Sequence, residues 1–311
     1  MELRHLRYFV TVAEELSFTR AAKRLGIEQP PLSQQIRQLE QEVGTPLFRR
    51  LPRGVALTDA GGAFLGDARE VLERVRLATA HAQRVARGDQ GRIRVGMINS
   101  APFHPFVPRL IREFGQRYPE VALSLEENTT PALAESILKG AVDIALVRPL
   151  LGEFEELRIE TLFDEGMVVA LPEGHPLSHQ ASLPLAALAN ESFVLFPRPV
   201  GSGLYDEIIA ACRRARFSPR IGHEIQQVTS IANLVAADLG VSVVPASMRQ
   251  VLSTGVVYRA IEGDAPRARM SLAWRRDDDS ATVRNMVALA HQLRRSMALR
   301  RPAAPARRKR V

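Results

Sequence analysis

Apolar residues recur at helical spacing over the first ninety or so positions, then give way to short β-branched runs separated by further helical patterns. Between Gln29 and Val43, Leu32, Ile36, Leu39 and Val43 lie three or four residues apart and form one apolar stripe. Pro30, Gln34, Arg37 and Gln41 therefore occupy the opposite, exposed face. Pro30 and Pro31 mark a helix start, because a first turn does not need their missing N–H. Upstream, Ser17 is placed to cap a short helix over Phe18 to Leu25, and Gly26 supplies the permissive backbone of a tight turn. Two helices joined by so short a turn predict a helix-turn-helix. Leu47 to Thr58 then alternates as a two-stranded wing, with Arg53 and Gly54 near its tip.

Thr58 is positioned to cap the next helix, and Asp59 lies in its first turn, where a carboxylate suits the helix dipole. Along it Phe64, Ala68, Val71, Val75, Ala78, Ala82 and Val85 alternate spacings of four and three, the signature of a coiled-coil dimerisation seam. From Ile93 the pattern changes period. Ile93 to Ile98, Val121 to Leu125, Val142 to Val147, Met167 to Leu171, Phe193 to Phe196 and Gly240 to Val244 read as strands with helices between them, predicting an α/β domain with a largely parallel sheet. The domains expected are 1–58 (winged helix-turn-helix), 59–90 (linker helix), 91–299 (α/β) and a basic, disordered tail at 300–311.

The 311 residues suffice for more than one core, and the single cysteine, Cys212, excludes a disulfide framework or a cysteine-based zinc module. With no apolar run of membrane-spanning length and no secretory leader pattern, a cytoplasmic protein is expected. The net charge of +8 suggests a polyanionic partner, yet its distribution changes that inference. Residues 1–58 carry +3, residues 59–293 carry −3, and residues 294–311 carry eight basic and no acidic side chains. The whole surplus equals the C-terminal end, so DNA binding has to be argued from the helix face and the wing.

Amide and guanidinium groups can make paired hydrogen bonds to purine edges in a major groove, and a basic wing can reach phosphates beside it. The candidate DNA-binding set is Gln29, Pro30, Ser33, Gln34, Arg37, Arg50 and Arg53. In the α/β region, hydroxyls recur at turns from strand to helix: Ser100, Thr129 with Thr130, Ser202 with Gly203, and Thr229 with Ser230. Ligands of open α/β sheets bind beyond the carboxyl ends of strands, where helix N-termini favour anions. Ser100, Thr130, Arg148, Ser202, Gly203 and Leu204 are thus the candidate ligand-binding set, suited to a carboxylate. Taken singly, each hydroxyl reads as a helix cap and Arg148 as a surface residue.

Enzymatic motifs fail on inspection. Gly201 to Asp206 has Asp206 where a dinucleotide fingerprint needs a small residue, and no phosphate loop or serine-hydrolase elbow occurs. His175 and His179 are four apart, but Pro176 argues against a shared helical metal face. No metal or cofactor is expected, and Cys212 reads as a quiet helix residue.

Met1 to Phe9, Ser17 to Ala22, Gln29 to Ile36, Leu47 to Arg50 and Leu57 to Gly61 together resemble the N-terminal region of LysR-type transcriptional regulators. The likeness continues through Ile93 to Gly96, Ala141 to Ala145, Gly174 to Leu177 and Leu239 to Pro245, which resemble LysR-type effector domains. It implies a two-lobed fold like periplasmic binding proteins, with lobe one at about 91–163 and 270–299 and lobe two at about 164–269. It further implies promoter DNA as partner, a homodimer or dimer of dimers, and a small organic-acid effector. Within the family the likeness is to regulators of aromatic catabolism that respond to muconate-like acids, although Gln34 stands where many members carry Arg. The segment around Ser202-Gly203-Leu204 also departs from that subgroup. An α/β ligand-binding or catalytic protein whose N-terminal domain serves only assembly is the alternative.

Overall fold

The computed structural model describes residues 1–148, 154–250 and 254–299. Two units are present, Met1–Arg84 and the chain from Val85 onward. The expected tail at 300–311 lies outside the described residues.

The first unit contains α1 (Leu3–Glu15), α2 (Phe18–Leu25), α3 (Gln29–Val43), the hairpin β1 (Phe48–Arg50) and β2 (Val55–Leu57), and most of α4 (Asp59–Arg87). The Ser17 hydroxyl accepts the Arg20 N–H, and α2 ends at Gly26 in the left-handed region (φ +67°). That backbone lets the chain reverse into α3 without steric cost. Phe9, Leu32, Ile36, Leu39 and Leu47 form the fully buried centre, each contributing about 1.5–3 kcal/mol by leaving water. The wing is tied to α3 by Glu40, whose carboxylate accepts the Leu47 and Phe48 N–H groups at 2.8 and 3.0 Å. Gly61 allows α4 to start against the wing, since a Cβ there would sit 2.0 Å from the Leu47 carbonyl oxygen.

This packing corrects part of the expected dimer seam. Ala68 is fully buried and Phe64 packs against Phe9 (ring centroids 5.1 Å apart), so both belong to their own unit's core. Val71, Val75, Ala78, Ala82 and Val85 remain exposed along the rest of α4.

The second unit runs β3 (Gln90–Met97), α5 (Phe106–Arg117), β4 (Glu120–Glu127), α6 (Thr130–Leu138), β5 (Ile144–Val147), β6 (Leu157–Pro172), β7 (Ser182–Pro184), β8 (Ser192–Leu195), α7 (Ser202–Arg214), β9 (Arg220–Glu224), α8 (Ile231–Ala236), β10 (Ser242–Pro245), β11 (Val256–Glu262), β12 (Arg267–Arg275) and α9 (Ala281–Leu299). The fold is α/β and two-lobed, but the sheet is mixed. β4, β3 and β5 are parallel, whereas β12 runs antiparallel to β5 and β6, and β10 and β11 antiparallel to β6. The antiparallel pairs arise where the chain crosses between lobes along β6 and returns along β12. One core gathers Ile93, Phe106, Leu146, Leu162, Met270 and Met286, and the other gathers Met167, Val169, Phe193, Ile208, Val243 and Ala268. Each crossing strand thus serves both lobes, changing core between Leu162 and Met167 and between Ala268 and Met270.

Candidate functional site

In the first unit, α3 presents Gln29, Pro30, Gln34, Arg37 and Gln41 as exposed residues, and Arg50 and Arg53 are exposed on the wing. Ser33 is an exception: it is only 7% exposed, next to the apolar stripe, so its hydroxyl is not part of the open face. The helix is held in place by a 2.8 Å hydrogen bond between His5 Nε2 and Gln35 Oε1 and by the Glu40 bridge to the wing. The side chains of Gln34, Arg37, Arg50 and Arg53 are exposed and make no hydrogen bond or ion pair with another described residue, leaving their polar ends open to an external partner. What sequence reasoning missed here is Glu40, which faces inward from a polar position and fixes the wing.

In the second unit, a narrow cavity of about 30 Å³ lies where the carboxyl ends of β3, β4 and β5 meet lobe two. Ser100, Thr130, Arg148 and Leu204 line it, as do Asn99, Asn128, Thr129, Phe196, Val200, Gly201, Gln226 and Val228. Ser202 and Gly203 do not line it; Ser202 lies in the first turn of α7 with Gly201 as N-cap. Gly203 instead lines a larger, open cavity beside it.

The hydroxyls correct the capping expectation. Thr129 caps α6, accepting the Ala132 N–H, but Ser100 and Ser230 make no cap bond. The neighbouring Thr130 is 1% exposed, and its Oγ1 accepts the Arg148 N–H at 3.3 Å. Thr130 thereby ties the start of α6 to the end of β5.

Arg148 is buried, contrary to the surface reading, at 3% exposure. Its Nη2 donates to Glu165 Oε1 at 2.6 Å, while Glu165 Oε2 accepts the Ser247 N–H at 3.0 Å. Glu165, in the crossing strand β6, thus joins the end of β5 in lobe one to the turn after β10 in lobe two. Arg148 Nε and Nη1 are buried without a hydrogen-bond partner among the described residues. Burial lowers the guanidinium pKa from its ordinary value, opposed by Glu165, and Arg remains a cation. Two unsatisfied donors on a buried cation call for further acceptors, supplied by water or by a bound ligand, because leaving them unmade is costly. No sequence signal marks Glu165, an acidic residue inside a long strand.

Beside the pair, the His104 ring stacks on Phe163 with centroids 3.9 Å apart, and its Nδ1 accepts the Phe106 N–H. Burial lowers the His104 pKa, with Glu165 raising it and Arg148 lowering it further. The ring is therefore neutral at pH 7 and adds no charge to the cleft. Elsewhere, burial pushes the Cys212 thiol up to about 11, which keeps it an unreactive thiol. His175 Nδ1 accepts the Leu177 N–H, and no cluster of potential metal ligands occurs among the described residues. No helix of the described residues is long and apolar enough to cross a membrane.

Residues 3–62 match the family described as bacterial regulatory helix-turn-helix protein, lysR family, and residues 86–295 match the LysR substrate binding domain. The chain is 40% identical over 287 residues to the HTH-type transcriptional regulator BudR of Raoultella terrigena, covering 92% of this chain and 99% of that protein. It is 37% identical to the Hca operon transcriptional activator HcaR of Escherichia coli (strain K12), over 94% and 98% of the two chains. Among solved structures, full-length CbnR complexed with its target DNA is similar with a TM-score of 0.78 and 28% identity, over 94% of this chain and 100% of that one.

Proposed function

Because the chain belongs to the LysR family of transcriptional regulators, we propose that it reads promoter DNA through α3 and the wing and adjusts that binding to a small organic acid held between the lobes. The observation that carries the acid reading is the buried Arg148, which lines the cavity together with residues of the helix-start and hydroxyl turns and keeps two guanidinium nitrogens without a partner among the described residues. In this reading Ser100, Thr130 and the N–H groups at the start of α6 and α7 orient the carboxylate, and Arg148 supplies the counter-charge. Glu165 links the same guanidinium to both lobes, so an acid that competes for Arg148 changes what holds the lobes together.

DNA binding by CbnR supports the same role for α3 here, with Gln29, Pro30, Gln34 and Arg37 facing the groove and Arg50 and Arg53 the backbone. A reader of this kind works as a pair spanning two half-sites, and the exposed valines of α4 supply the seam for a homodimer, itself able to pair into a tetramer. The narrower placement among regulators of aromatic catabolism leans on the sequence resemblance and on the likeness to HcaR and CbnR. The role is regulatory, without catalysis, and it places the protein in the cytoplasm beside its DNA.

A panel of organic acids in thermal unfolding tests the sensor. A bound acid at about 100 times its Kd adds about 2.7 kcal/mol of stability. The expected result is a raised Tm with at least one acid, reduced in Thr130→Ala. Equal melting of the protein with and without every acid would end the carboxylate reading.

A further inference from the structure

α5 and α9 lay their apolar sides on one core, to which Phe106, Leu110 and Phe114 come from α5 and Met286, Leu289 and Leu293 from α9. Their outward sides are joined by a hydrogen bond from Arg117 Nη1 to Gln292 Oε1 at 3.3 Å. α5 carries Arg109, Arg112 and Arg117 against one acid, Glu113, and α9 carries Arg284, Arg294 and Arg295 against none. Glu113 is taken by Arg109 in a 2.7 Å ion pair. Arg112 and Arg295 are exposed and make no hydrogen bond or ion pair with another described residue. Arg117 and Arg294 donate to uncharged oxygens, those of the Gln292 amide and the Thr161 carbonyl. Positive charge is thus gathered on one face of a region, residues 59–293, that sums to −3.

The sequence beyond this face adds to the same charge. Residues 300–311 follow α9 directly and contain Arg300, Arg301, Arg307, Arg308, Lys309 and Arg310, with no acid. Twelve residues span at most about 40 Å even when fully extended, so these cations stay near the end of α9. By contrast, residues 1–58, which hold the α3 face and the wing, carry only +3.

The packing of the two helices selects the partner. A helix that binds a lipid surface buries an apolar side at the acyl boundary, but the apolar sides of α5 and α9 are consumed by their core. A protein interface has an apolar centre inside a polar rim, and no large hydrophobic side chain of α5 or α9 is exposed among the described residues. Duplex phosphates need neither, because the attraction is electrostatic and the planar guanidinium fork matches a phosphate.

We propose that the α5–α9 face and residues 300–311 form a second, sequence-independent surface for the DNA backbone, distinct from the α3 reader. It rests on the proposal that α3 and the wing bring promoter DNA to the chain; once they are bound, linkage raises the local concentration of phosphates for the second surface.

The test is a salt titration of duplex binding by the full chain, on the DNA flanking its own gene and on a duplex of unrelated sequence. It is repeated with a chain ending at Leu299 and with the double variant Arg112→Gln, Arg295→Gln. Each phosphate neutralised steepens the fall of log K with log salt by about 0.9. The expected result is a slope shallower by about 3–5 in the shortened chain and by about 1–2 in the double variant, on both duplexes. Tm should be unchanged, as for exposed side chains without partners, and the preference for the first duplex retained. Slopes equal to the parent's in both variants would overturn the proposal, and a loss confined to the shortened chain would overturn the part assigned to α5 and α9. Capture by phosphatidylglycerol vesicles that both variants lose, with DNA slopes unchanged, would overturn it in favour of a lipid surface. Equal affinity of the parent for the two duplexes would remove the α3 reading instead, and the slopes would still decide this one.

Discussion

Replacing Glu165 with alanine is expected to destabilise the second unit by about 3–5 kcal/mol, the usual penalty for leaving one member of a buried ion pair uncompensated. Arg148 and Glu165 have side chains 4% and 7% exposed and lie 2.6 Å apart. Removing the carboxylate strips Arg148 of the one hydrogen bond its guanidinium makes among the described residues and frees the Ser247 N–H as well. The pair Arg148→Met with Glu165→Met should recover most of that loss, because apolar replacements remove both desolvation penalties together. The double variant is also expected to bind no acid. The sole tryptophan, Trp274 on β12, is buried in lobe one, so its fluorescence in urea follows this unit alone. A Glu165→Ala unfolding curve within about 1 kcal/mol of the parent would mean that water satisfies Arg148 and the pair does not hold the lobes.

The second large effect concerns the two-fold. Val71 and Val75 are 44% and 39% exposed on a long helix whose earlier apolar positions are consumed by their own core. Changing both to aspartate should cost little stability in the isolated chain, since neither side chain is buried there. In a dimer the same change places like charges across an apolar seam, and sedimentation is expected to report a monomer. Loss of the linked second reader then weakens binding to a two-half-site operator by about 10²–10⁴, the gain that linkage ordinarily confers. An unchanged dimer mass would locate the interface elsewhere than on α4.

The helix-turn-helix was legible because its signals are local. A capping Ser17, the left-handed Gly26, two prolines in a first turn and a three-four apolar stripe each act within a few residues. Phe64 and Ala68 show the limit of the same logic: spacing identifies the apolar side of a helix but not whether its own unit or a second copy covers it. The hydroxyls show another limit. Thr129 and Thr130 are adjacent and chemically alike, yet one caps α6 and the other receives the N–H of a residue eighteen positions later. From the sequence Arg148 is either a counter-charge at a strand end or a surface residue, and the two readings stay even because its partner Glu165 is supplied by a different strand and no periodicity announces such a pairing. The strand pattern also missed β9, an exposed Arg-Ile-Gly-His-Glu run, and the outer half of β6, where alternating charges disguise a strand that crosses two lobes.

Footprinting of the DNA flanking its own gene tests whether this chain reads a DNA sequence through the open face of α3 and alters its grip when an acid enters the cleft. The protein and Arg37→Ala should be compared with and without the acid that raises the Tm in the thermal-unfolding panel. Sequence-limited protection that survives moderate salt is expected, with an altered footprint when the acid is added and affinity lower by about 10–100-fold in Arg37→Ala. Binding indifferent to sequence, to Arg37 and to the acid would contradict it.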